Sequence, residues 1–209
     1  MEVLGECFHA GVDGAPKDAV LAVPWFRRAA AGNVARAQCN LGFMHERGEG
    51  GLEKSDATAV ALYRLAAAAG YAPALFNLGI FFRDGRGGTP QDHAEAARRW
   101  RQAADKGHAD AEVELARAYI YGDGVEEDYD TALRLARRAA DKGEACGEGI
   151  MGLLLSEGLG VAHDKREAAR WWAKSAAQGN ENAITNLREL AAEGVPEAAA
   201  ALRRLRLAP

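Results

Sequence analysis

The sequence predicts an all-α protein made of about five consecutive helix pairs, and internal repetition is the main observation that predicts it. Five similar segments read RRAAAGN, RLAAAAGY, RQAADKGH, RRAADKGE and KSAAQGN. Each contains a glycine after its alanines, and successive glycines are 38, 37, 36 and 36 residues apart: Gly32, Gly70, Gly107, Gly143 and Gly179. A period of this length is typical of repeats built from two antiparallel helices.

Two further series keep this register and predict where the second helix of each repeat begins and which face it buries. Asp and Ser side chains accept hydrogen bonds from the free amides of a first helical turn. The predicted caps are Asp18, Ser55, Asp92, Asp128 and Asp164. Eight residues after each cap, on the face predicted to be buried, lie Phe26, Tyr63, Trp100, Ala136 and Trp172.

A series of small residues marks the first helix of each repeat and predicts a close approach between helices. Its members are Gly5, Gly42, Gly79, Ala116 and Gly152. Because Ala116 replaces glycine once, we interpret the constraint here as one of volume. The glycine that follows the alanines is present in all five copies, and we expect it to end each second helix in a left-handed conformation.

Glycine-rich segments between the two helices of a repeat invite comparison with phosphate-binding loops. These segments are Gly48-Glu49-Gly50, Gly85-Arg86-Gly87, Gly122-Asp123-Gly124 and Gly158-Leu159-Gly160. A phosphate-binding loop follows a strand and continues into GKS or GKT, and neither feature is found here. We therefore interpret them as turns.

Three stretches resemble the Sel-1-like repeat, a relative of the tetratricopeptide repeat. They begin AQCNLGFMHERGEGG, ALFNLGIFFRDGRGG and GIMGLLLSEGLG, and they share a leucine-glycine pair or its variant, a GxG turn, a capping residue and an aromatic residue. The resemblance implies a right-handed superhelical solenoid of antiparallel helix pairs that acts as an adaptor for other proteins. The predicted repeats are residues 1–33, 34–70, 71–107, 108–143 and 144–180, with a C-terminal capping helix pair over 181–209.

The resemblance also implies that the first helices line a concave side, where a partner would bind. On the first helix of the third predicted repeat, Ala74, Leu78 and Phe82 are predicted to pack in the core. The alternative that Phe43, Ile80 and Leu153 simply pack between neighbouring first helices stays open. The candidate partner-binding residues are Asn40, Phe43, Arg47, Asn77, Ile80, Asp84, Glu114, Arg117, Tyr121, Ile150 and Leu153.

Composition excludes several classes of partner. The chain has 26 basic and 30 acidic residues and a net charge of -4, which leaves no broad cationic face for nucleic acid. No apolar run approaches the roughly 20 residues that a membrane-spanning helix needs.

The start lacks the basic and apolar regions of an export signal, which predicts a cytoplasmic protein, or an envelope protein if such a signal has been removed. Cys7, Cys39 and Cys146 are predicted to be small buried residues in a reducing compartment.

No catalytic, metal-binding or cofactor-binding residue is predicted. The five histidines lack the spacing that places two metal ligands on one helical face, and no nucleophile motif is present. The sequence therefore favours a non-catalytic scaffold that binds a protein or peptide. Two alternatives are an inhibitor or immunity protein with one dedicated partner, and a penicillin-binding hydrolase. Cysteine-rich relatives suggest the hydrolase, but their cysteine pairs are missing here. The oligomeric state is left open.

Overall fold

The computed structural model describes residues 2–10 and 18–207, without the side chains of Glu2, Val3 and Cys7. The predicted burial of Cys7 therefore lies outside the described residues. The described part of the chain forms twelve α-helices and no β-strand. The helices are α1 Glu2–Ala10, α2 Ala19–Ala31, α3 Ala35–Arg47, α4 Asp56–Ala68, α5 Ala72–Asp84, α6 His93–Ala104, α7 Ala109–Tyr121, α8 Tyr129–Asp141, α9 Ala145–Glu157, α10 Lys165–Ala177, α11 Glu181–Ala192 and α12 Pro196–Arg204.

The helices pack in chain order within two compact units, Met1–His108 and Ala109–Pro209. In the first unit the pairs are α1 with α2, α3 with α4, and α5 with α6. In the second unit they are α7 with α8, α9 with α10, and α11 with α12. The second helix of each pair also packs against the first helix of the next pair in its unit. This arrangement confirms the predicted all-α class of stacked helix pairs.

All five predicted caps start a second helix. The Asp18 carboxylate accepts a hydrogen bond from the Val20 amide at 2.8 Å, and Asp92 accepts one from the Glu95 amide at 2.9 Å. The remaining caps act in the same way and are Ser55, Asp128 and Asp164. Each cap satisfies a main-chain amide that has no partner inside its helix. The cap prediction is confirmed.

The left-handed helix ends follow the prediction in four repeats and depart from it in the first. Gly70, Gly107, Gly143 and Gly179 have φ between +76° and +88°. Gly32 instead has φ −82°, and the next residue, Asn33, takes the left-handed conformation with φ 60°. Asparagine tolerates this conformation better than most residues. The prediction for Gly32 is wrong, because the left-handed position keeps its spacing to Gly70 while the glycine lies one residue earlier.

An aromatic ring from each second helix occupies the space that a glycine leaves on the first helix. A Cβ atom added to Gly79 would lie 2.3 Å from Trp100 Nε1, and one added to Gly152 would lie 2.4 Å from Trp172 Nε1. Gly5 and Gly42 stand in the same relation to the rings of Phe26 and Tyr63, at 2.9 Å. The predicted close approach is confirmed. A glycine is required because the ring occupies the space that a side chain would need.

The pair α7–α8 meets the same volume constraint without a glycine or a ring. Ala116 and Ala136 occupy the corresponding positions, and neither side chain is exposed. One added methyl group on the first helix is therefore accompanied by a much smaller residue on the second. Interiors are packed densely enough that such changes must balance.

The core face of α5 differs from the predicted one at a single position. Ala74 and Leu78 are buried as predicted, but Phe82 is half-buried and its neighbour Phe81 is buried. A step of four residues rotates about 40° beyond a full helical turn, so two such steps carry residue 82 off the face. A step of four residues from Ala74 to Leu78, followed by a step of three to Phe81, returns to the core face. Phe81 therefore takes the core position.

The glycine-rich turns after α3 and α5 pack against the preceding repeat. A Cβ atom on Gly50 would lie 2.6 Å from the Ala19 carbonyl oxygen, and one on Gly87 would lie 2.7 Å from the Asp56 carbonyl oxygen. Ala19 and Asp56 are the first residues of α2 and α4, the second helices of the preceding repeats. The second glycine of these turns therefore allows the next repeat to approach. The interpretation as turns is confirmed.

Arg86 adds a polar link to the same junction in the first unit. Its guanidinium donates to both carboxylate oxygens of Asp56 at 3.0 Å and to Glu46 at 3.3 Å. The guanidinium also lies 4.6 Å from the centre of the Phe81 ring. Tyr63 donates its hydroxyl proton to Glu46 at 3.0 Å, and burial raises the pKa of that hydroxyl. The turn after α5 is thus joined to α3 and α4.

We expect Gly152→Ala to destabilise the protein, whereas Gly149→Ala, one turn earlier in α9, should not. The first methyl group collides with Trp172, at a cost of about 1–3 kcal/mol, while the second meets only ordinary contacts of 3.4 Å and 3.5 Å. In a Trp172→Ala background, Gly152→Ala should become neutral or stabilising, because it restores the Ala116 and Ala136 combination. Thermal and urea unfolding of the four variants measure this; additive effects in the double variant would contradict it.

A second pair of substitutions tests the helix ends. Gly143→Ala should lower the free energy of unfolding by about 1–2 kcal/mol, because alanine resists the left-handed conformation; no described atom lies within 4 Å of the added methyl group. Gly32→Ala should change it by less than about 0.5 kcal/mol, because φ there is already negative. Equal losses in urea unfolding would show that the two glycines are equivalent after all.

Candidate functional site

The candidate partner-binding residues all lie on first helices, in two separate groups. The first unit holds Asn40, Phe43 and Arg47 on α3, and Asn77, Ile80 and Asp84 on α5. The second unit holds Glu114, Arg117 and Tyr121 on α7, and Ile150 and Leu153 on α9.

The second unit contains a cavity of about 520 Å³ along its first helices. We call it the 117–186 groove, because its lining runs from Arg117 on α7, across α9, to Asn186 on α11, with the end of α10. The helices stack in chain order, so α9 forms the middle of the groove and α7 and α11 form its sides. Four of the candidate residues line it together: Arg117, Tyr121, Ile150 and Leu153.

The middle of the groove is apolar and shallow. Ile150 is 7% exposed and Leu153 is half-buried, so α9 presents an aliphatic surface whose side chains are already held in place. Gly149 adds no side chain, and its carbonyl oxygen accepts a hydrogen bond from Trp172 Nε1 at 3.0 Å. The same tryptophan that fills the space at Gly152 therefore forms part of the groove.

The α7 side carries an exposed aromatic residue and the one charged residue among the described groove lining. Tyr121 is 61% exposed and lies four residues after Arg117, on the same face of the helix. Glu114 lies outside the lining, with a carboxylate oxygen 3.7 Å from the Arg117 guanidinium. This distance leaves most of the donors of Arg117 available to a partner.

The α11 side was missed by the sequence analysis, which assigned this segment to a closing cap. Asn182, Thr185 and Asn186 line the groove from α11. Asn180 lies at the start of that helix, and its side-chain oxygen accepts hydrogen bonds from two main-chain amides at 3.1 Å and 3.3 Å. The signal in the sequence is three asparagines in the seven residues 180–186.

Two buried carboxylates of the second unit have polar partners inside it. Glu112 is fully buried between Arg138 at 2.6 Å and Lys142 at 2.7 Å. Burial raises the pKa of Glu148, while the hydrogen bond from Gln178 and the charge of Lys174 act in the opposite direction. These acids hold helix pairs together, since buried charges need such partners.

In the first unit, several candidate residues are engaged with other parts of the chain. The Arg47 guanidinium lies 5.0 Å from the centre of the Phe43 ring. The Asn77 amide nitrogen lies 3.9 Å from Cys39 Sγ on the preceding first helix, and Asp84 accepts a hydrogen bond from Arg83 at 2.8 Å. The two others, Asn40 and Ile80, are half-buried. Of these contacts, only the one between Asn77 and Cys39 joins two first helices, and the other two lie within α3 or within α5.

The described histidines lie apart from one another. His45 lies 3.3 Å from the Glu53 carbonyl oxygen, and His108 stacks on Phe76 with ring centres 4.9 Å apart. No set of three His, Cys, Asp or Glu side chains within residues 2–10 and 18–207 is placed to hold a metal ion. In the same residues, no helix has the length and apolar character needed to cross a membrane.

The two described cysteines differ in environment, and the prediction of burial is wrong for one of them. Cys39 is buried, and burial raises its pKa to about 12. Cys146 is exposed and lines the 117–186 groove, because its side of α9 faces the cavity.

In a Cys7→Ser background, we expect Ellman's reagent at pH 8 to modify only one thiol of the native protein, Cys146. Because burial raises the pKa of Cys39 far above this pH, that side chain stays in the unreactive thiol form. Unfolding in guanidinium should release the second thiol. A Cys146→Ser variant that still reacts rapidly while folded would contradict this assignment.

Known proteins share this architecture. The protein-family model of the Sel1 repeat matches five segments of the sequence, residues 1–34, 35–71, 72–108, 109–144 and 150–180. A Sel1 repeat protein from Oxalobacter formigenes has a similar structure, with a TM-score of 0.81, 28% identity, and coverage of 98% of this chain and 83% of that one. The structure of c5321, a protective antigen of uropathogenic Escherichia coli with an SLR fold, has a TM-score of 0.55 and 27% identity. The match covers 98% of this chain and 52% of that one.

A third structure, the immunity protein Pa5087 from Pseudomonas aeruginosa, has a TM-score of 0.56 and 22% identity, with coverage of 86% of this chain and 66% of that one. A search of curated proteins finds no significant match. The family model covers most of the chain, and its matches coincide with the helix pairs described above. This chain belongs to the Sel1 repeat family.

Proposed function

We propose that this protein is a non-catalytic scaffold that binds a segment of another protein in the 117–186 groove. Sel1 repeats generally mediate protein–protein interaction. The observation that carries the proposal is the meeting of an apolar middle, an exposed aromatic residue and uncommitted polar side chains in one cavity of about 520 Å³. Binding sites typically combine an apolar surface with a few convergent polar groups.

The residues on the α7 side are of the kinds that contribute most to protein binding. Tyrosine and arginine are enriched among the residues whose truncation weakens complexes most. Tyr121 is a large side chain left mostly in water, so a partner that covers it gains apolar burial without disturbing the fold. Arg117 beside it supplies directional hydrogen bonds and charge, which contribute specificity.

A dedicated inhibitor is the second candidate, favoured by one observation. The structural neighbour Pa5087 is an immunity protein, and at 22% identity this likeness concerns the fold. An inhibitor differs from an adaptor in having one tight partner. The number of distinct partners that depend on the groove therefore separates the two candidates.

The full chain as affinity bait, followed by mass spectrometry, tests the proposal. Tyr121→Glu and Leu153→Arg should each weaken capture of direct partners by at least about tenfold, because a charge replaces apolar contact in the groove. Leu65→Glu is the matched control, since Leu65 is 55% exposed on the second helix α4.

Circular dichroism should show that the three variants are folded. Several groove-dependent partners would favour an adaptor, and a single one an inhibitor. If both groove variants capture the same proteins as the parent chain, the site lies elsewhere and the proposal fails.

A further inference from the structure

Resting on the proposed function, we infer that the 117–186 groove binds its partner as an extended segment, whose main chain is hydrogen-bonded by Asn182 and Asn186. The segment carries apolar side chains toward α9 and an acidic side chain toward Arg117.

Within the part of the chain that the structure describes, the side chains of Asn182 and Asn186 have no hydrogen-bond partner. The main-chain amide of Asn182 is used in capping α11, but neither side-chain amide of Asn182 or Asn186 makes a hydrogen bond within the described residues. The other amide side chains of the groove do make hydrogen bonds: the Asn180 oxygen caps the helix, and the Gln178 nitrogen donates to the Gly143 carbonyl and to Glu148.

The spacing of the two carboxamides along α11 matches the spacing of main-chain groups along one edge of an extended chain. Asn182 and Asn186 lie four residues apart on α11, which separates them by about 6 Å along the helix axis. In an extended chain, every second residue directs its main-chain groups to the same edge, about 6.6 Å apart. Each carboxamide offers a donor and an acceptor, so each can pair with the N–H and C=O groups of such a segment.

A helical partner would leave these amides unused. The N–H and C=O groups inside a helix already bond to each other, so a helix lying along α11 offers main-chain groups only at its ends. Covering the two carboxamides without partners would carry the cost of removing polar groups from water. The free pair therefore favours an extended segment over a helical one.

The rest of the groove sets the side chains that such a segment carries. With one edge of the segment along α11, its side chains point alternately toward α9 and away from it. Those facing α9 meet Ile150 and Leu153, which suit aliphatic residues. On the opposite side, Arg117 is the one charged residue in the described lining, and a carboxylate is the group that pairs best with its guanidinium.

The variant that tests this inference is expected to fold. Asn182 is exposed and Asn186 is half-buried, and neither side chain holds another element in place. Alanine is a better helix former than asparagine, so Asn182→Ala/Asn186→Ala should be at least as stable as the parent. Gln102→Ala is the matched control, because Gln102 is an exposed amide on the second helix α6.

The probe is a random dodecapeptide library displayed on phage and selected on the full chain. We expect enriched peptides with apolar residues at alternate positions and a nearby Asp or Glu. The best peptide, made with a fluorescent label, should bind the double alanine variant about 10- to 100-fold more weakly than the parent. Its affinity for the Gln102→Ala variant should be unchanged.

Methylation of single peptide nitrogens then tests which main-chain N–H groups of the peptide donate hydrogen bonds, because it removes one donor at a time. We expect losses of about tenfold at two residues separated by one, and no such loss at those positions with the double variant, since the interacting carboxamides are absent. An Arg117→Glu variant should prefer a peptide in which the acidic residue is replaced by lysine.

Three outcomes would overturn the inference. Unchanged affinity for the double variant, or methylation effects without a two-residue period, would rule out recognition of an extended main chain by the two carboxamides. The proposed function would still stand if Leu153→Arg abolished binding of that peptide. Selection of no peptide at all would also overturn it, and the capture experiment would then decide separately whether the groove binds a folded protein.

Discussion

Four of the described helix pairs are built on the same contact, an aromatic ring of the second helix packed onto a glycine of the first. Trp172 fills the space at Gly152 so completely that one added carbon would overlap it, and a carbon added at Gly79 would overlap Trp100 in the same way. The ring spans the distance between the two helices while the glycine allows them to stay close. Dense interiors tolerate little mismatch in volume, so this pairing defines how the two helices of a repeat meet.

The same interaction shapes the groove. Trp172 donates its Nε1 proton to the Gly149 carbonyl on the face of α9 that borders the cavity, and Gly149 contributes no side chain to fill the space. The core of one helix pair therefore supports the middle of the groove directly. Rigid elements hold contact residues more precisely than loops do, and here the apolar middle is held by the packing of the repeat itself.

Charge is distributed so that little of it remains in the groove. Glu112 and Glu148 are buried and paired with side chains of the second helices or their ends. Arg117 is left as the one charged side chain in the described lining, beside amides and aliphatic residues. If the groove binds a partner as proposed, we expect selection by hydrogen-bond geometry and one ion pair, not by long-range attraction.

The sequence by itself determined the helix pairs, their caps at positions such as Asp92, and the two series of small and aromatic residues, because these are local features that recur from repeat to repeat. That the aromatic ring fills the space left by the glycine of its own pair is seen only in the structure. Only the tertiary structure decided that Asn33, not Gly32, is left-handed, that Phe81, not Phe82, enters the core, and that α11 forms a side of the groove. Those features depend on a helical phase of a few tens of degrees and on stacking between repeats, which periodicity alone does not specify.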